Sequence, residues 1–478
     1  MNTKLEALFE QWSGENPKII SKLPISGSDR SYFRLSGETK QAIGAINQDI
    51  KENRAFIEYS RFLKEKKMSV PEIYAVDIDM KHYLLQDLGN ETLFDWLSSS
   101  RNGDEIPEPI VSFYKLALSE LVKFQIEGKN IDFSVAYPRT KFDKQSMMWD
   151  LNYFKYYFLK LAQIHFDEQL LEDDFIHFTD FLLETDTDYF MYRDFQSRNI
   201  MVLDNKPYFI DYQGGRKGAL QYDLVSLLFD AKADLPNIIR ENLFDYYINE
   251  LQKFINVDIT KFRKYYFGYM LIRIMQAMGT YGFRGFYEKK DHFLRSIPFA
   301  LKNLHYILEN FELLAEFPDL KDVLLRIVDS KKLKEIQEDF RLCVNVSSFS
   351  YKRGIPTDYT GYGGGFVFDC RCLPNPGRDP DYKNKTGFDK EVCLYLENEP
   401  DVDIFVNNVY AMVKQAVNNY LERRFKSLSI NFGCTGGQHR SVYLAERLGK
   451  YLGKFPVQIK IKHIELEFMN ENNLLNIK

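Results

Sequence analysis

Hydrophobic and polar residues follow two different periods in the first two thirds of the chain. Up to about residue 90, apolar and polar side chains alternate in short segments such as 31–35 and 41–47, which is typical of strands with one buried face. Further on, apolar residues recur at helical spacing. The pattern predicts a small, mostly β lobe over 1–90, with one amphipathic helix at 53–66, and a helical lobe over 91–330. The predicted helices of that lobe cover 110–126, 149–166, 243–255 and 262–277.

Strands return after a charged stretch at 331–340, which we interpret as a linker. Beyond it, the pattern predicts a strand, a crossover helix over 401–425, a second strand at 427–432, a glycine turn and a helix beginning at Ser441. This order indicates an α/β domain with a partly parallel sheet over 341–478.

Composition and charge narrow the class of protein. Hydrophobic residues make up 45% of the 478 residues and charged residues 27%, an ordinary balance for two or three globular domains. The net charge of −5 argues against a chain-wide basic field for nucleic acids. We find neither a signal-peptide core nor an apolar run that could cross a bilayer, and we therefore expect a cytoplasmic protein without a membrane partner.

The five cysteines all lie after residue 342, and an odd number in an expected cytoplasmic protein argues against a disulfide scaffold. Cys370 and Cys372 flank Arg371, a spacing that could begin a metal site. No CxxC or neighbouring pair of histidines completes a zinc ligand set, so we favour buried cysteines on one face of a strand.

A candidate phosphoryl-transfer site lies in the middle of the chain. Asn199 follows Asp194 by five positions, and the segments 200–203 and 208–210 then read as a hairpin that leads to Asp211. Phosphoryl transfer needs a carboxylate to orient the attacking hydroxyl and oxygen ligands to hold Mg²⁺. We assign the first role to Asp194 and the second to Asn199 and Asp211. Ordinary loop carboxylates are the alternative, but the spacing, the hairpin and the second Asp coincide.

Segments around this site resemble the aminoglycoside-phosphotransferase family of small-molecule kinases. Residues 211–216 (Asp-Tyr-Gln-Gly-Gly-Arg) stand in place of the Asp-Phe-Gly of protein kinases, and the segment 221–231 follows. Within the family, 222–228 and 277–282 are similar to AmgK-type kinases, which act on the anomeric hydroxyl of cell-wall amino sugars. The resemblance covers roughly 1–330 and implies a bilobal, protein-kinase-like α+β fold that uses ATP and Mg²⁺.

The resemblance also indicates where a nucleotide would bind. The predicted contacts are Gly27, Ser28, Asp29 and Ser31 at a small-polar turn that would cover the phosphates, and Gln86, Asp87 and Leu88 at the hinge that would meet adenine. The strand expected to carry a phosphate-binding lysine, 41–47, has none, which leaves the anchoring of the phosphates open.

Substrate contacts are predicted where polar residues interrupt apolar helical faces. They are Asp150, Asn152, Arg273 and Gln276. Asp223, at the start of an apolar helix, is instead expected to tether the catalytic loop or to cap its helix.

The glycine turn near the end of the chain is a second candidate site. A strand ends, two glycines free the backbone and a helix begins, so backbone N–H groups and a helix N-terminus are expected to meet an anion beside Arg440. The predicted anion site comprises Cys434, Thr435, Gly436, Gly437, His439, Arg440 and Ser441. Cys434 and Arg440 also have the Cys-x5-Arg spacing of cysteine phosphatases, and this alternative stays open.

Three segments, 349–356, 368–376 and 433–441, resemble in order the signature blocks of the C-terminal domain of the RapZ family. The resemblance covers about 341–466 and implies binding of an amino-sugar metabolite and of a small regulatory RNA. RapZ proper carries a P-loop domain in front, whereas no GxxxxGK[ST] motif occurs in this chain, which argues against RNA binding here.

Both resemblances imply amino-sugar metabolism. We expect a kinase that phosphorylates a sugar hydroxyl, the anomeric one of N-acetylmuramate or N-acetylglucosamine, joined to a domain that binds a phosphosugar or a nucleotide sugar. The alternative is an amino-sugar sensor or RNA-binding regulator with a weak or inactive kinase domain. The missing strand lysine favours this regulator, and the set of Asp194, Asn199 and Asp211 favours the enzyme.

Overall fold

The computed structural model describes residues 3–23, 30–101, 103, 105–339, 342–357, 365–422 and 425–475. The chain forms two compact units, Met1–Lys334 and Glu335–Lys478. The stretch interpreted as a linker, 331–340, is helical over Lys331–Asp339, so the division between the units falls within a helix. No helix in the described part of the chain combines the length and apolar character needed to cross a membrane.

The first unit begins with a small β lobe. Its elements are α1 Thr3–Ser13, β1 Ile19–Lys22, β2 Ser31–Ser36, β3 Gln41–Ile46, α2 Ile50–Glu65, β4 Ile73–Val76 and β5 His82–Leu85. The strands form one antiparallel sheet in the order β1-β2-β3-β5-β4. Leu5 and Phe9 of α1 pack with Leu35 and Leu84 of the sheet, which gives this lobe a buried face.

Helices dominate the rest of the first unit. They are α3 Leu93–Ser100, α4 Glu108–Glu127, α5 Lys144–Phe154, α6 Lys160–Ala162, α7 Glu168–Leu182, α8 Leu220–Leu228, α9 Asn237–Leu251, α10 Ile259–Tyr281, α11 Asp291–Leu294, α12 Ile297–Asn310, α13 Pro318–Asp329 and α14 Lys331–Asp339. The helix predicted at 149–166 starts earlier, because Asp143 caps α5 by accepting from the N–H of Ser146 (3.0 Å). Helix α10 lies so close to α5 that a Cβ on Gly279 would be 2.6 Å from Cδ1 of Tyr153.

Two short antiparallel sheets of two strands each carry the residues of the candidate site. One pairs β6 Tyr189–Met191 with β9 Arg216–Gly218, and the other is a hairpin of β7 Ile200–Leu203 and β8 Lys206–Phe209. Asp204 and Asn205 form the turn of this hairpin with φ angles of 50° and 56°, the left-handed conformation that matches the twist of the strands. The hairpin predicted from the sequence is confirmed.

The second unit is an α/β domain, as predicted. Its elements are β10 Cys343–Ser350, β11 Gly365–Asp369, α15 Lys390–Glu397, α16 Pro400–Glu422, β12 Ser427–Cys434, α17 Arg440–Leu452, β13 Gln458–His463 and α18 Ile464–Leu475. The described strands pair in the order β11-β12-β10-β13, and each of these pairings is parallel. Val346, Ile430 and Leu444 belong to the core between the sheet and its helices.

Cys370 and Cys372 do not share a strand face, and this prediction is wrong. Strand β11 ends at Asp369, whose carboxylate accepts from the N–H of Arg371 (2.9 Å) and starts a 3₁₀ turn. The turn buries Cys370 and exposes Cys372. In the described ranges, no group of three or more His, Cys, Asp or Glu side chains is arranged to hold a metal ion.

Candidate active site

A buried carboxylate holds the loop that carries Asp194. The chain leaves β6 with Tyr192 and turns at Arg193, whose φ is 84°. Asp223 of α8 accepts hydrogen bonds from the backbone N–H groups of both residues, at 2.7 and 2.9 Å. Burial raises the pKa of Asp223 to about 7, against the two N–H groups, which lower it. The predicted tether is confirmed, and it fixes the start of the loop.

Tyr192 takes the position of the histidine in the H-R-D motif of protein kinases. Its hydroxyl donates to the carbonyl oxygen of Ile210 (2.5 Å), directly before Asp211. Its ring packs edge-on against Tyr212, with the ring centroids 5.9 Å apart. Tyr192 therefore joins the loop of Asp194 to the segment of Asp211.

Asn199 and Asp211, the predicted metal ligands, lie side by side. The Nδ2 of Asn199 donates to the backbone carbonyl of Asp194 (2.9 Å) and to Oδ2 of Asp211 (3.3 Å). Asp211 reaches this place with a φ of 72°, a conformation that costs energy for a residue with a side chain and is found mainly in turns and functional sites. The structure thus brings the three predicted residues together in one cleft.

The chemistry of these donors fits a hard divalent cation. A carboxylate and an amide carbonyl are oxygen ligands of the kind that Mg²⁺ prefers. The surrounding protein and the nearby Asp194 carboxylate raise the pKa of Asp211, while Gln213 lowers it. Because Asp211 is also exposed to solvent, the size of this effect is limited, and a bound cation would remove the repulsion between the two carboxylates.

A cavity of about 160 Å³ opens beside Asp194 within the first unit. Two of the predicted substrate residues, Arg273 and Gln276, line it. Arg273 donates from Nε to Oγ of Ser226 (3.0 Å) and from Nη1 to Oε1 of Gln276 (2.7 Å), so both side chains are held in place. Further polar residues of the lining include Arg198, Asp230, Lys232 and Thr280. The cavity offers hydrogen-bond donors and acceptors as well as positive charge.

The other two predicted substrate residues, Asp150 and Asn152, are not among the described residues that line this cavity. Asp150 forms an ion pair with Arg193 at 2.7 Å, and the Arg193 guanidinium lies 5.0 Å from the centroid of the Phe142 ring. Arg193 directly precedes Asp194 in the chain. The structure therefore places Asp150 in support of the catalytic loop, and Asn152 half-buried on α5.

The predicted nucleotide contacts fall in two segments. Outside the described residues lie Gly27, Ser28 and Asp29, whereas Ser31 opens β2. At the hinge after β5, the Asp87 carboxylate accepts from Arg34 (2.6 and 2.9 Å) and from the N–H of Gly89 (3.0 Å). The N–H of Gln86 donates to the carbonyl oxygen of Glu72 (2.9 Å), directly before β4, and Leu88 is buried. Any contact from Asp87 to adenine would therefore come from its backbone.

Three charged residues of the cavity, Arg198, Asp230 and Lys232, were not predicted from the sequence. Asp230 comes shortly after α8 and accepts from the hydroxyl of Ser197 (2.8 Å). A charged residue just after a fully buried helix was a usable signal for Asp230. Arg198 lies in the loop next to Asn199, and its role was hidden because the direction of a loop side chain depends on the tertiary structure.

In the second unit, the predicted anion loop joins β12 to α17. Gly437 has a φ of 69°, and a Cβ there would lie 2.9 Å from the backbone N of Ser350, so the turn requires glycine. The carbonyl oxygen of Thr435 accepts from the hydroxyl of Ser350 (2.8 Å). A Cβ on Gly436 would meet nothing within 4 Å, so the loop has open space on that side.

The thiol of Cys434 is buried under this loop. It accepts from the N–H of Gly437 (3.2 Å) and lies 3.2 Å from Oγ of Ser441. The thiol is thus part of the packing that shapes the loop, which agrees with a binding role more readily than with an exposed nucleophile.

Arg440 is only 4% exposed and is tied to a neighbouring segment. Its Nη1 donates to the carbonyl oxygens of Arg371 (3.2 Å) and Leu373 (2.8 Å). Nε2 of His439 lies 2.9 Å from the carbonyl oxygen of Tyr382. Both side chains therefore brace the loop against neighbouring segments, and the Arg440 guanidinium does not stand free above the turn.

Comparisons with known proteins follow the two units. Residues 20–255 match the model of the phosphotransferase enzyme family, and residues 342–467 match the model of the RapZ C-terminal domain. The chain therefore joins a region that matches the phosphotransferase enzyme family to one that matches the RapZ C-terminal domain. The protein-kinase-like fold expected from the sequence is confirmed, and the match over 20–255 supports the expected phosphotransferase class. The narrower subgroup of anomeric amino-sugar kinases is not distinguished by these matches.

Curated relatives share part of the chain. A nucleotide-binding protein of Methylobacillus flagellatus is 39% identical over 131 residues, which cover 27% of this chain and 45% of that protein. A nucleotide-binding protein of Thermotoga sp. strain RQ2 is 40% identical over 124 residues, which cover 26% of this chain and 42% of that protein. The chain thus spans less than half the length of these two relatives.

Two solved structures are distantly similar. The choline kinase of Cryptosporidium parvum Iowa II has a TM-score of 0.47 at 11% identity, covering 68% of this chain and 100% of the kinase. A spectinomycin phosphotransferase in complex with ADP and spectinomycin has a TM-score of 0.41 at 14% identity, covering 69% of this chain and 98% of that enzyme.

Proposed function

We propose that the first unit is a kinase that transfers the γ-phosphoryl group of ATP to a hydroxyl of an amino sugar and uses Mg²⁺. The juxtaposition of Asp194, Asn199 and Asp211 beside a polar cavity carries this proposal. The match to the phosphotransferase enzyme family supports the class of reaction.

Each residue of the cleft has a role in this reaction. Asp194 orients the attacking hydroxyl and accepts its proton. Mg²⁺ held by Asn199 and Asp211 would neutralise charge on the phosphate oxygens. Asp223 keeps the loop in register through the N–H groups of Tyr192 and Arg193, so that Asp194 needs little rearrangement during the reaction.

The lining of the cavity supports a sugar as the acceptor. Gln276, Thr280 and Asp230 offer the donors and acceptors that several hydroxyl groups require. Arg198 and Arg273 add positive charge, which suits a carboxylate on the substrate. We therefore propose the anomeric hydroxyl of N-acetylmuramate or N-acetylglucosamine as the acceptor, with a preference for N-acetylmuramate because it carries a carboxylate.

For the second unit, we infer binding of a phosphosugar or a nucleotide sugar at the loop between β12 and α17. The open space beside Gly436 leaves room for an anion, and the backbone N–H groups at the N-terminus of α17 would donate to it. The name "nucleotide-binding protein" of the relatives in M. flagellatus and Thermotoga agrees with this inference. RNA is the alternative partner, in the case that the protein is a regulator with an inactive kinase unit.

One experiment tests the kinase proposal. ATP consumption is measured over a panel of free amino sugars, and the phosphate position of any product is assigned by NMR. We expect turnover of at least one amino sugar, and its loss in Asp194→Asn with Mg-ATP affinity nearly intact, since the carboxylate acts on the transition state. Asp173→Asn, at an exposed position of α7, is the matched control. A wild-type protein that binds Mg-ATP but phosphorylates no amino sugar would favour the regulator.

A further inference from the structure

The strand that should carry the phosphate-binding lysine is β3, and its sequence from Gln41 to Ile46 contains none. In protein kinases this lysine bonds the α- and β-phosphates and pairs with a glutamate on the helix that follows the strand. Here the following helix is α2, and Glu52 lies in its first turn. Glu52 does have a cationic partner, which comes from the neighbouring strand.

That partner is Arg30, one residue before β2. Its Nη2 lies 3.1 Å from Oε1 of Glu52. The antiparallel register pairs Ser31 with Ile46, so Arg30 stands beside the end of β3. Asn47, which follows β3, donates to the other carboxylate oxygen of Glu52 (2.9 Å) and keeps it oriented. A cation–glutamate pair like that of a kinase is thus present, with the cation moved to the residue that precedes the adjacent strand β2.

Arg30 is held in place but is not satisfied. It is 4% exposed, its guanidinium lies 5.7 Å from the centroid of the Phe56 ring, and its Nη1 donates to the hydroxyl of Tyr32 (3.2 Å). The close approach of Nη2 to Glu52 does not have the angle of a hydrogen bond, and neither Nε nor Nη2 has a hydrogen-bond partner in the described ranges. A buried charged donor without a partner is costly, so a ligand is expected to complete its hydrogen bonds.

The position of Arg30 relative to the cleft indicates which ligand this is. Its guanidinium lies against the ring of Phe56, and that ring stacks on Tyr212, with the ring centroids 5.1 Å apart. Tyr212 directly follows Asp211, so Arg30 lies on the side of the lobe that faces the predicted metal ligand. A nucleotide whose phosphates meet a cation at Asp211 would bring their oxygens toward the free donors of Arg30. A guanidinium also provides two parallel donors, which suit a phosphate.

We propose that Arg30 replaces the missing strand lysine and donates to the α- and β-phosphates of the nucleotide. This inference rests on the proposed function, because it requires that the first unit binds Mg-ATP. It explains how a kinase cleft anchors phosphates when β3 has no lysine, and it assigns to Glu52 and Asn47 the task of positioning the guanidinium.

The test is calorimetric titration of the full-length protein with Mg-ATP, Mg-ADP and adenosine. We expect Arg30→Met to weaken both phosphate-bearing ligands by about 10- to 100-fold, as charge-assisted hydrogen bonds are lost, and to leave adenosine affinity unchanged. Arg30→Lys should keep part of the affinity, since lysine retains the charge but not the fork. Arg61→Met, at an exposed position of α2, is the matched control and should titrate like wild type.

The outcomes separate the two proposals. A wild-type protein that binds no Mg-ATP overturns the proposed function itself. If wild type binds and Arg30→Met shows the same Mg-ATP affinity, Arg30 is not the anchor, although the kinase proposal stands. An equal loss for Mg-ATP and adenosine indicates that Arg30 only maintains the fold of the lobe, and this also overturns the inference. If Arg30→Met does not fold, the same titrations of Arg30→Lys provide the test. The inference then requires that the ratio of Mg-ATP affinity to adenosine affinity is several-fold lower in Arg30→Lys than in wild type.

Discussion

Asp223→Asn tests whether Asp223 positions the loop that carries Asp194. The substitution removes a titrating charge and changes the hydrogen bonds to this loop at the same time. The Asp223 carboxylate accepts from the N–H groups of Tyr192 and Arg193 at 2.7 and 2.9 Å. An asparagine has one acceptor oxygen, so its NH₂ group would face the second N–H. We expect the loop to shift and kcat to fall by about 100-fold, the scale known for small misplacements of catalytic groups.

The pH dependence of stability gives a second, independent result. Burial raises the pKa of Asp223 from an ordinary 3.8 to about 7 in the folded state. Between these two pH values, the folded protein keeps a proton that the unfolded chain has lost. The stabilisation from this group is therefore fully present below pH 3.8, decreases as the pH rises, and is lost once the pH has passed through about 7. At about 1.4 kcal/mol per pH unit, wild type should lose roughly 3 kcal/mol relative to Asp223→Asn between about pH 5 and pH 8.

The assay is denaturant unfolding followed by tryptophan fluorescence. Trp12, Trp96 and Trp149 are the three tryptophans of the chain, and all lie in the first unit, so the signal reports on that unit alone. Asp174→Asn is the control for activity, since Asp174 is also buried and accepts from a backbone N–H, that of Leu320 (2.8 Å), on another helix. It should leave kcat unchanged.

Either of two results would refute this reasoning. If the unfolding free energies of wild type and Asp223→Asn change in parallel with pH, the titrating group is not Asp223. If Asp223→Asn turns over like wild type, the two backbone hydrogen bonds do not position Asp194.

Three further predictions concern the metal, the acceptor and the second unit. Asp211→Ala should abolish the dependence of nucleotide affinity on Mg²⁺, and Asn199→Ala should reduce this dependence less, because the carboxylate carries the charge. Unchanged Mg-ATP affinity in Asp211→Ala would place the metal elsewhere. Arg273→Met should raise the KM for N-acetylmuramate about tenfold or more, because a charge-assisted contact to its carboxylate is lost, and should raise the KM for N-acetylglucosamine less. Equal effects on the two sugars would exclude a contact between Arg273 and the carboxylate. Arg440→Ala should lower the affinity for N-acetylglucosamine 1-phosphate by about 1.5–3 kcal/mol in calorimetry, because the loop loses the charged donor that braces it against the carbonyl oxygens of Arg371 and Leu373. Cys434→Ser should bind almost normally. Hydrolysis of an aryl phosphate by wild type that vanishes in Cys434→Ser would instead support a cysteine phosphatase.

The sequence alone determined those features that depend on residues close together in the chain. The left-handed turn at Asp204 and Asn205 sets the hairpin, and this hairpin brings Asp211 back to Asn199 and Asp194. Local chemistry of this kind could be recognised because turn conformation and strand alternation are encoded by neighbouring residues. The same rule failed at Cys370, where Asp369 ends the strand and starts a 3₁₀ turn that alternation does not reveal.

The tertiary structure decided which distant partner each polar side chain meets. Asp150 and Asp223 both interrupt apolar helical segments and look alike in the sequence, yet Asp150 pairs with Arg193 and Asp223 accepts from the backbone of the loop. The pairing of Arg30 with Glu52 depends on the register of β2 and β3 and on the way α2 packs against them. Hydrogen bonds and ion pairs act over a few ångströms, so their partners are chosen by packing, which spacing along the chain does not specify.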